Sequence, residues 1–454
     1  MKAPPEPFAT ASLYNPHYPR RCGQALDQAL QFTPAYHSWR SFDIGIESGV
    51  FSRLASFSAL TKEDLRTHGP QGFVPHGRSI PEGLASGEIE LATTSGTTGD
   101  QVDNVWYQPW WNRSEAASWQ LNSHACGVDL GNHREAILTS PWCAGVPCEN
   151  GFLTKEQRTL GRFLYLCERS DPSQWPNALM NRMVDELNCF GPQVLEANPS
   201  FLGKLSRHII TNGLRVRSPA LIVLTYEFPS ILHLRIIRQA FDSPLASSYG
   251  STETGYVFME CEAGRMHQVT ESCHVDFLPL SPDQGGPKRG RLLVTTFDNP
   301  WRSLVRFDTG DIVRLNSGAP CPCGRHEGLT LTSVEGRLVN LTLTPGNRLV
   351  TQGEVDRALS EVPGIVEYQV IQTEQSAYTA RFVIGPNETT PPTGAVREAI
   401  QAIYGPAATI TPEPVTSIAP DPPGKYRLVK SLIPIDPSLF LDDQFAPREK
   451  NTQR

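Results

Sequence analysis

Hydrophobic positions along this chain alternate between strand-like and helical spacing. Residues 220–224 form a short apolar run typical of a buried strand, and Leu232, Ile236 and Ala240 follow at helical spacing. A glycine-rich turn at 285–290 precedes the apolar residues 292–294, which predicts a β-rich region. Apolar runs that alternate with helical segments are typical of α/β proteins. The pattern therefore predicts an α/β fold.

The pattern changes after Gly336. Beyond it the sequence predicts a small α+β unit, with helices at 354–359 and 396–403 and strands near 366–371 and 380–384. Residues 444–454 are polar, which predicts a disordered tail. We therefore expect a large N-terminal domain of mixed sheets and helices at 1–336 and a small α+β domain at 337–454.

Composition narrows the class of function. A chain of 454 residues with 39% hydrophobic residues can build two or three domain cores. Its net charge of -7, without a basic run, argues against binding to nucleic acid or an anionic membrane. The polar, proline-containing start lacks an apolar signal core, and the ten cysteines lack a disulfide-like spacing. We expect a cytoplasmic protein that acts on small molecules.

One loop has the composition of a phosphate cradle. The run Thr-Thr-Ser-Gly-Thr-Thr-Gly at 93–99 follows a predicted strand containing Ile89 and Leu91. Glycines let the backbone approach an anion, and hydroxyl groups add hydrogen-bond donors. By itself such a run is more often a surface linker, and it lacks the Gly-Lys-Ser/Thr ending of a P-loop. Further signals must decide between the two interpretations.

Those signals follow in a fixed order, at 249–253 (Tyr-Gly-Ser-Thr-Glu), 306–311 (Arg-Phe-Asp-Thr-Gly-Asp), 336–337 (Gly-Arg) and Lys425. With the loop, this set resembles the adenylate-forming superfamily of acyl-CoA synthetases, carrier-protein adenylation domains and luciferases, over about residues 84–430. The 306–311 motif followed by Cys-Pro-Cys-Gly-Arg at 321–325 is similar to the phenylacetate-CoA ligase branch. Glu227 also sits where that branch has a glutamate, although its flanking glycines are absent.

The resemblance implies a reaction. A carboxylate attacks the α-phosphate of ATP, giving an acyl-adenylate that is then passed to coenzyme A. The large domain would bind ATP and the acid, and the small domain would be mobile and carry the catalytic lysine. Such chemistry needs positioning, donors, a cation and Mg²⁺.

The resemblance also assigns roles to residues. Thr252 would contact the α-phosphate, Glu253 would bind Mg²⁺ and Asp311 would accept from the ribose hydroxyls. Lys425 would bridge the carboxylate and α-phosphate oxygens, with Lys430 as the alternative lysine. Tyr249 and Gly250 would flank the adenine. The other implied cofactor-binding residues are Ser95, Gly96, Thr97, Thr98, Gly99, Glu227 and Arg337.

A structural zinc site is a separate hypothesis. Cys261 with His267, and Cys321 with Cys323, are two local pairs of N/S ligands that fit a tetrahedral zinc ion. The resemblance joins the pairs, because some phenylacetate-CoA ligase-like proteins carry a metal between these segments. Two alternatives stay open. Cys273-His274 and His326 are rival ligands, and the cysteines could simply be buried without a metal.

The acid and the final acceptor are the least specified features. By analogy Trp142, Phe228 and Tyr249 lie near the acyl pocket and favour an aromatic acid, although such residues are more often core. The family often has Lys-Pro after its glycine-rich loop and a charged hinge pair, whereas this chain has Asp100-Gln101 and Val339-Asn340. Coenzyme A is the leading acceptor. A carrier-protein pantetheine arm, an amine, a scaffold without transfer activity, and a homodimer stay open.

Overall fold

The computed structural model describes residues 11–93, 102–139, 152–169, 171–316, 318–386, 388–421 and 425–442. The predicted phosphate loop at 95–99 lies outside the described residues, as do Asp100-Gln101, Trp142 and the tail at 444–454.

The helices are α1 (Tyr18–Phe32), α2 (Val50–Ser56), α3 (Lys62–Gly72), α4 (Ile80–Ala85), α5 (Gln108–Trp119), α6 (Ser123–Cys126), α7 (Asn177–Phe190), α8 (Pro199–Thr211), α9 (Ile231–Ala240), α10 (Gln352–Ser360) and α11 (Thr393–Tyr404). The strands are β1 (Glu90–Thr93), β2 (Asp103–Trp106), β3 (Glu135–Leu138), β4 (Thr159–Leu160), β5 (Phe163–Tyr165), β6 (Val194–Ala197), β7 (Leu221–Leu224), β8 (Leu245–Ser251), β9 (Gly255–Glu260), β10 (Met266–Gln268), β11 (Cys273–Pro279), β12 (Arg289–Thr296), β13 (Phe307–Leu315), β14 (Thr330–Arg337), β15 (Thr342–Leu343), β16 (Leu349–Val350), β17 (Ile365–Glu374), β18 (Ala377–Ile384), β19 (Thr409–Pro414) and β20 (Val429–Ser431).

The described residues fall into two compact units. The first takes its residues from Met1–Ser123, Tyr249–Val334 and Asp436–Arg454, and the second from His124–Ser248 and Glu335–Ile435. No helix among the described residues is both long and apolar enough to cross a membrane. The division into domains at 1–336 and 337–454, with a mobile C-terminal domain, stays a prediction from the sequence.

The first unit is built on strands in the order β11-β12-β13-β14-β10-β9. The pairings β11/β12, β12/β13, β14/β10 and β10/β9 are antiparallel. One face packs a core that includes Val257, Val275 and Val294. Helix α1 places Tyr18, Cys22 and other apolar residues three or four positions apart, so that one stripe packs into a second core.

The second unit combines two sheets. In the order β8-β7-β6-β3-β5-β4, the pairings from β8 to β5 are parallel and only β4/β5 is antiparallel. Every residue of β7 is buried, as expected for a parallel strand covered on both faces. The other sheet, β19-β18-β17-β20, packs against α10 and α11.

The structure confirms the predicted elements. The apolar run at 220–224 is β7 and the helical spacing after it is α9. The run at 292–294 lies in β12, and the four elements predicted beyond Gly336 are α10, β17, β18 and α11. The fold is mixed α/β, with a small α+β region in the C-terminal third of the chain.

Candidate functional site

The turn between β8 and β9 carries Thr252 and Glu253 and depends on glycine. A Cβ atom on Gly250 would lie 2.2 Å from the carbonyl oxygen of Gly255, so only glycine fits there without a shift. Arg302 holds the turn in place, because its guanidinium donates to the carbonyl oxygens of Thr252 and Glu253. The predicted role of Gly250 beside adenine therefore coincides with a steric requirement of the turn.

Glu253 is a buried carboxylate in the first unit, with a cation beside it. Its side chain is 2% exposed, and its Oε1 lies 3.4 Å from Lys62 Nζ. Oε1 accepts no hydrogen bond from the part of the chain that the structure describes. Although burial opposes ionisation, Lys62 and Ser251 hold the pKa of Glu253 below its ordinary value. A buried, ionised carboxylate with one oxygen that accepts no hydrogen bond is a ligand of the kind that a hard cation such as Mg²⁺ prefers.

Sequence reasoning missed Lys62. It is the first residue of α3, whose N-terminus is fixed by a capping box in which Thr61 and Asp64 bond reciprocally. The Thr-x-x-Asp spacing predicts the helix start, but no local pattern predicts that the lysine reaches Glu253. Arg302 was missed for the same reason.

Asp311 is presented by an irregularity in β13. The register between β12 and β13 shifts between Arg291 and Leu293, and Gly310 has a φ of +75°. Such a bulge re-aims the side chains next to it. Asp311 Oδ2 accepts a hydrogen bond of 2.8 Å from Tyr249 Oη. Tyr249 and Asp311, predicted to contact adenine and ribose, are thus in direct contact within the first unit.

Glu227 and Lys425 both belong to the second unit. Glu227 Oε2 accepts from Ser200 Oγ at 2.9 Å, and Oε1 accepts from the backbone N–H of Tyr426 at 3.0 Å. Burial raises the pKa of Glu227, and these donors with Lys425 oppose that effect. Tyr226, the residue before Glu227, takes a φ of 75°, a conformation that is uncommon for residues other than glycine. Glu227 therefore binds the segment that carries Lys425.

Two further predicted residues have less specific surroundings. Arg337 is exposed at the end of β14. It follows Gly336, which has a φ of +114° and where a Cβ atom would lie 2.8 Å from Gln352 Cβ. Phe228 packs against the core formed by β17, β18, α10 and α11. This packing agrees with a core role for Phe228, the alternative to a place near the acyl pocket.

Four sulfur and nitrogen atoms converge in the first unit. The ligand atoms of Cys261, His267, Cys321 and Cys323 all lie within 4.8 Å of one another. Cys261 directly follows β9 and His267 lies in β10, whose pairing with β14 aligns His267 with Thr330, beyond the loop that holds the two other cysteines. The long-range pairing of strands thus joins the two local pairs.

The geometry of this cluster fits zinc. Cys261 Sγ lies 3.6 Å from Cys321 Sγ, and Cys323 Sγ lies 3.3 Å from His267 Nε2. A tetrahedral zinc with bonds of about 2.3 Å to sulfur and about 2.0 Å to nitrogen requires separations of about 3.8 Å and about 3.5 Å. The sulfurs are too far apart for a disulfide, which needs about 2.05 Å. The arrangement is close to that of a closed four-ligand site.

The surroundings of the cluster hold the two ligand loops together. Arg325 Nη1 donates to both carboxylate oxygens of Glu262 at 3.0 Å, which ties the loop after Cys323 to the turn after Cys261. Thr330 Oγ1 lies 3.4 Å from His267 Nδ1 and orients the ring.

The rival ligands lie elsewhere. His274 is on β11, with its Nδ1 3.1 Å from Tyr18 Oη, and Cys273 donates toward the carbonyl of Val269. His326 Nδ1 lies 3.2 Å from the carbonyl of Gly324, and His326 does not belong to the four-ligand group.

The chain is similar in fold to proteins of known structure. No protein-family model matches the chain, and no curated protein matches it by sequence. The solved structure of 2-hydroxyisobutyryl-CoA ligase in the postadenylation state matches with a TM-score of 0.67 and 15% identity, over 96% of this chain and 92% of that one. The same ligase in the thioesterification state, bound to 2-HIB-AMP and CoA, matches with a TM-score of 0.53 and 16% identity, over 94% and 91%.

A second ligase gives a weaker match. The anthranilate CoA ligase bound to anthranoyl-AMP matches with a TM-score of 0.50 and 15% identity, over 75% of this chain and 65% of that one. Identities this low establish the fold alone. The chain has the fold of these CoA ligases.

Proposed function

We propose that this protein activates a carboxylic acid with ATP, forming an acyl-adenylate, and transfers the acyl group to coenzyme A. The observation that carries the proposal is the first unit's pair of acidic sites. Glu253 has a buried carboxylate oxygen that is ion-paired with Lys62 and accepts no hydrogen bond among the described residues, and Asp311 accepts a hydrogen bond from Tyr249. Both stand on motifs whose order resembles the adenylate-forming superfamily, in a chain with the fold of CoA ligases.

The chemistry follows from the groups available. A carboxylic acid is a poor acyl donor because its leaving group would be oxide, and a mixed anhydride with AMP provides a good leaving group. Glu253 would hold Mg²⁺, which when bound neutralises charge on the phosphate oxygens. Thr252 donates to the α-phosphate, Asp311 accepts from the ribose hydroxyls, and Lys425 stabilises charge as the carboxylate attacks. The resemblance implies that Arg337 and the residues at 95–99 would also contact the nucleotide.

The proposed acid is aromatic, in line with the phenylacetate-CoA ligase-like branch. Tyr249, Phe228 and Trp142 support this choice by residue type. Phe228 supports it least, because its ring packs against a core. An aryl ring gains from burial against aromatic side chains, whereas a long fatty chain would need a tunnel.

The four-ligand cluster is proposed as a structural zinc site. All four positions of the ion would be filled by protein atoms, leaving none for substrate. The site would hold the β9–β10 hairpin against the loop before β14 and would contribute stability rather than chemistry. A cytoplasmic location stays a prediction from the sequence.

The proposal is tested by ATP–pyrophosphate exchange with a panel of aryl, short and long-chain acids. We expect exchange with benzoate- or phenylacetate-like acids, and a loss of about 10²-fold or more in Lys425→Ala. Lys430→Ala tests the alternative lysine, and Lys288→Ala, at an exposed lysine of the first unit, is the matched control. Wild-type exchange in Lys425→Ala would refute its role, and a preference for fatty acids would refute the aromatic pocket.

The acceptor is tested separately by AMP formation with and without coenzyme A. Acceleration by coenzyme A supports the ligase. Aryl-dependent AMP formation that coenzyme A leaves unchanged would redirect the second step to a carrier protein or an amine. A chain that binds ATP but exchanges with no acid would be a scaffold.

A further inference from the structure

The segment that follows Lys425 is anchored in two directions within the second unit. Strand β20 pairs in parallel with β17, aligning Val429 with Val370, and Leu428 and Val429 are buried in the core of that sheet. Tyr426 instead inserts its ring into the core beneath the parallel sheet. The backbone of Lys425 itself pairs in both directions with Asp421. Lys425 is therefore one peptide unit away from a buried side chain.

Glu227 bonds to this segment at the residue directly after Lys425. The carboxylate accepts the N–H of Tyr426 at 3.0 Å, across 199 positions of sequence. Its other oxygen is held by Ser200, the second residue of α8, whose N-terminus is capped by Asn198. The carboxylate is therefore fixed on one side by a capped helix and on the other by the backbone next to Lys425.

This arrangement gives Glu227 a role that requires no contact with the nucleotide. Both of its oxygens already accept hydrogen bonds from protein groups, and one of those groups belongs to the peptide that joins Lys425 to Tyr426. A hydrogen bond to a charged acceptor is among the stronger ones in proteins. Because a displacement of about 1 Å can cost about 10²-fold in rate, the direction of that peptide matters for the lysine.

We propose that Glu227 is a positioning residue for Lys425 in the adenylation step, acting by fixing the Tyr426 amide. The inference rests on the proposed function. Glu227 touches no reacting atom in this role; it sets the backbone from which the lysine extends. The acid-activating step depends on Lys425, whereas transfer from a preformed acyl-adenylate does not, so the role of Glu227 is confined to the first step.

The test compares Glu227→Ala with Glu227→Gln in pyrophosphate exchange. Alanine removes the acceptor, and we expect kcat to fall about 10- to 100-fold while KM for ATP changes less than about 3-fold. Glutamine keeps an oxygen for the Tyr426 N–H and an amide group that can donate to Ser200 Oγ, so most of the rate should return. Thioester formation from synthetic acyl-adenylate should stay at the wild-type rate in both.

Two controls separate positioning from general docking. Asp356 makes a comparable tie, since its carboxylate accepts from Ser230 Oγ and the Ile231 N–H rather than from the segment that follows Lys425. Asp356→Asn should lower stability without the selective loss of kcat. In a Lys425→Ala background, Glu227→Ala should cause no further loss, because both changes remove the same contribution. Hydrogen exchange should show a faster Tyr426 amide in Glu227→Ala.

The outcomes are distinguishable. A rise in KM for ATP with unchanged kcat would overturn the positioning role in favour of nucleotide binding. Additive losses in the double variant, or an unchanged Tyr426 amide, would also overturn it. Absence of exchange by the wild-type protein with every acid would refute the proposed function and the positioning role together, whereas unimpaired Glu227→Ala beside an active wild type refutes the positioning role alone.

Discussion

Serine at position 323 should remove zinc from the four-ligand cluster and lower thermal stability far more than it lowers activity. Cys323 Sγ lies 3.3 Å from His267 Nε2, and Cys261 Sγ lies 3.6 Å from Cys321 Sγ. Both separations are within about 0.3 Å of those in a tetrahedral site. Serine leaves three ligands and replaces a thiolate with a hydroxyl group that binds zinc poorly.

The magnitude follows from binding to the native state. An ion present at about 1,000 times its dissociation constant stabilises the folded protein by about 4 kcal/mol. In domains of about 150–250 residues, each kcal/mol shifts Tm by about 2–4 °C. Loss of the ion should therefore lower Tm by about 8–16 °C. The ligands stand on the β9–β10 hairpin and the loop before β14, and no reacting group is among them, so exchange activity below Tm should change little.

The assay pairs metal analysis with thermal unfolding. Wild-type protein purified without added metal should contain about one zinc per chain, and Cys323→Ser should contain much less. Cys189→Ser is the matched control, because Cys189 is exposed on α7 and outside the cluster. Chelation of the wild type should reproduce the Tm of the variant. Metal-free wild-type protein of unchanged Tm, or equal zinc in Cys323→Ser, would refute the site.

Three other perturbations test separate parts of the structure. Tyr249→Phe removes the hydrogen bond that Tyr249 donates to Asp311. A hydrogen bond to a charged acceptor is worth about 1.5–3 kcal/mol, so KM for ATP should rise by about 10-fold or more. An unchanged KM would contradict a role of Tyr249 in orienting Asp311. Gly250→Ala places a Cβ 2.2 Å from Gly255 O and should cost about 1–3 kcal/mol in denaturant unfolding. Gly394→Ala, in helix α11 with open space around it, should not destabilise the protein. Burial lowers the pKa of His233 to about 4 in the folded state. As the pH falls below about 6.5 the unfolded state takes up the proton first, so the free energy of unfolding should decrease down through pH 4, by up to about 3 kcal/mol. His233→Phe should remove that slope in unfolding measured across pH, and an identical slope in the variant would contradict it.

Local spacing predicted the elements well. The all-buried strand β7, the helix α9 and the elements beyond Gly336 were all visible as apolar periodicity, because burial of one face is written into residues three, four or two positions apart. Both ligand pairs of the cluster were also visible in the sequence, as cysteine and histidine residues at short spacing. Cys321 and Cys323 are separated by one residue, and Cys261 and His267 bracket one short turn.

The tertiary structure decided which distant groups meet. Pairing of β10 with β14 brings Cys261 to Cys321 across 60 positions and leaves Cys273, His274 and His326 outside the cluster. The contact of Lys62 with Glu253 and that of Glu227 with the Tyr426 amide likewise have no local signature. The type of a residue determines the chemistry that it can offer. Its spacing from other residues indicates which face of its helix or strand it occupies. The partner that it meets depends on strand order, on register and on how the cores close, and these are properties of the whole chain.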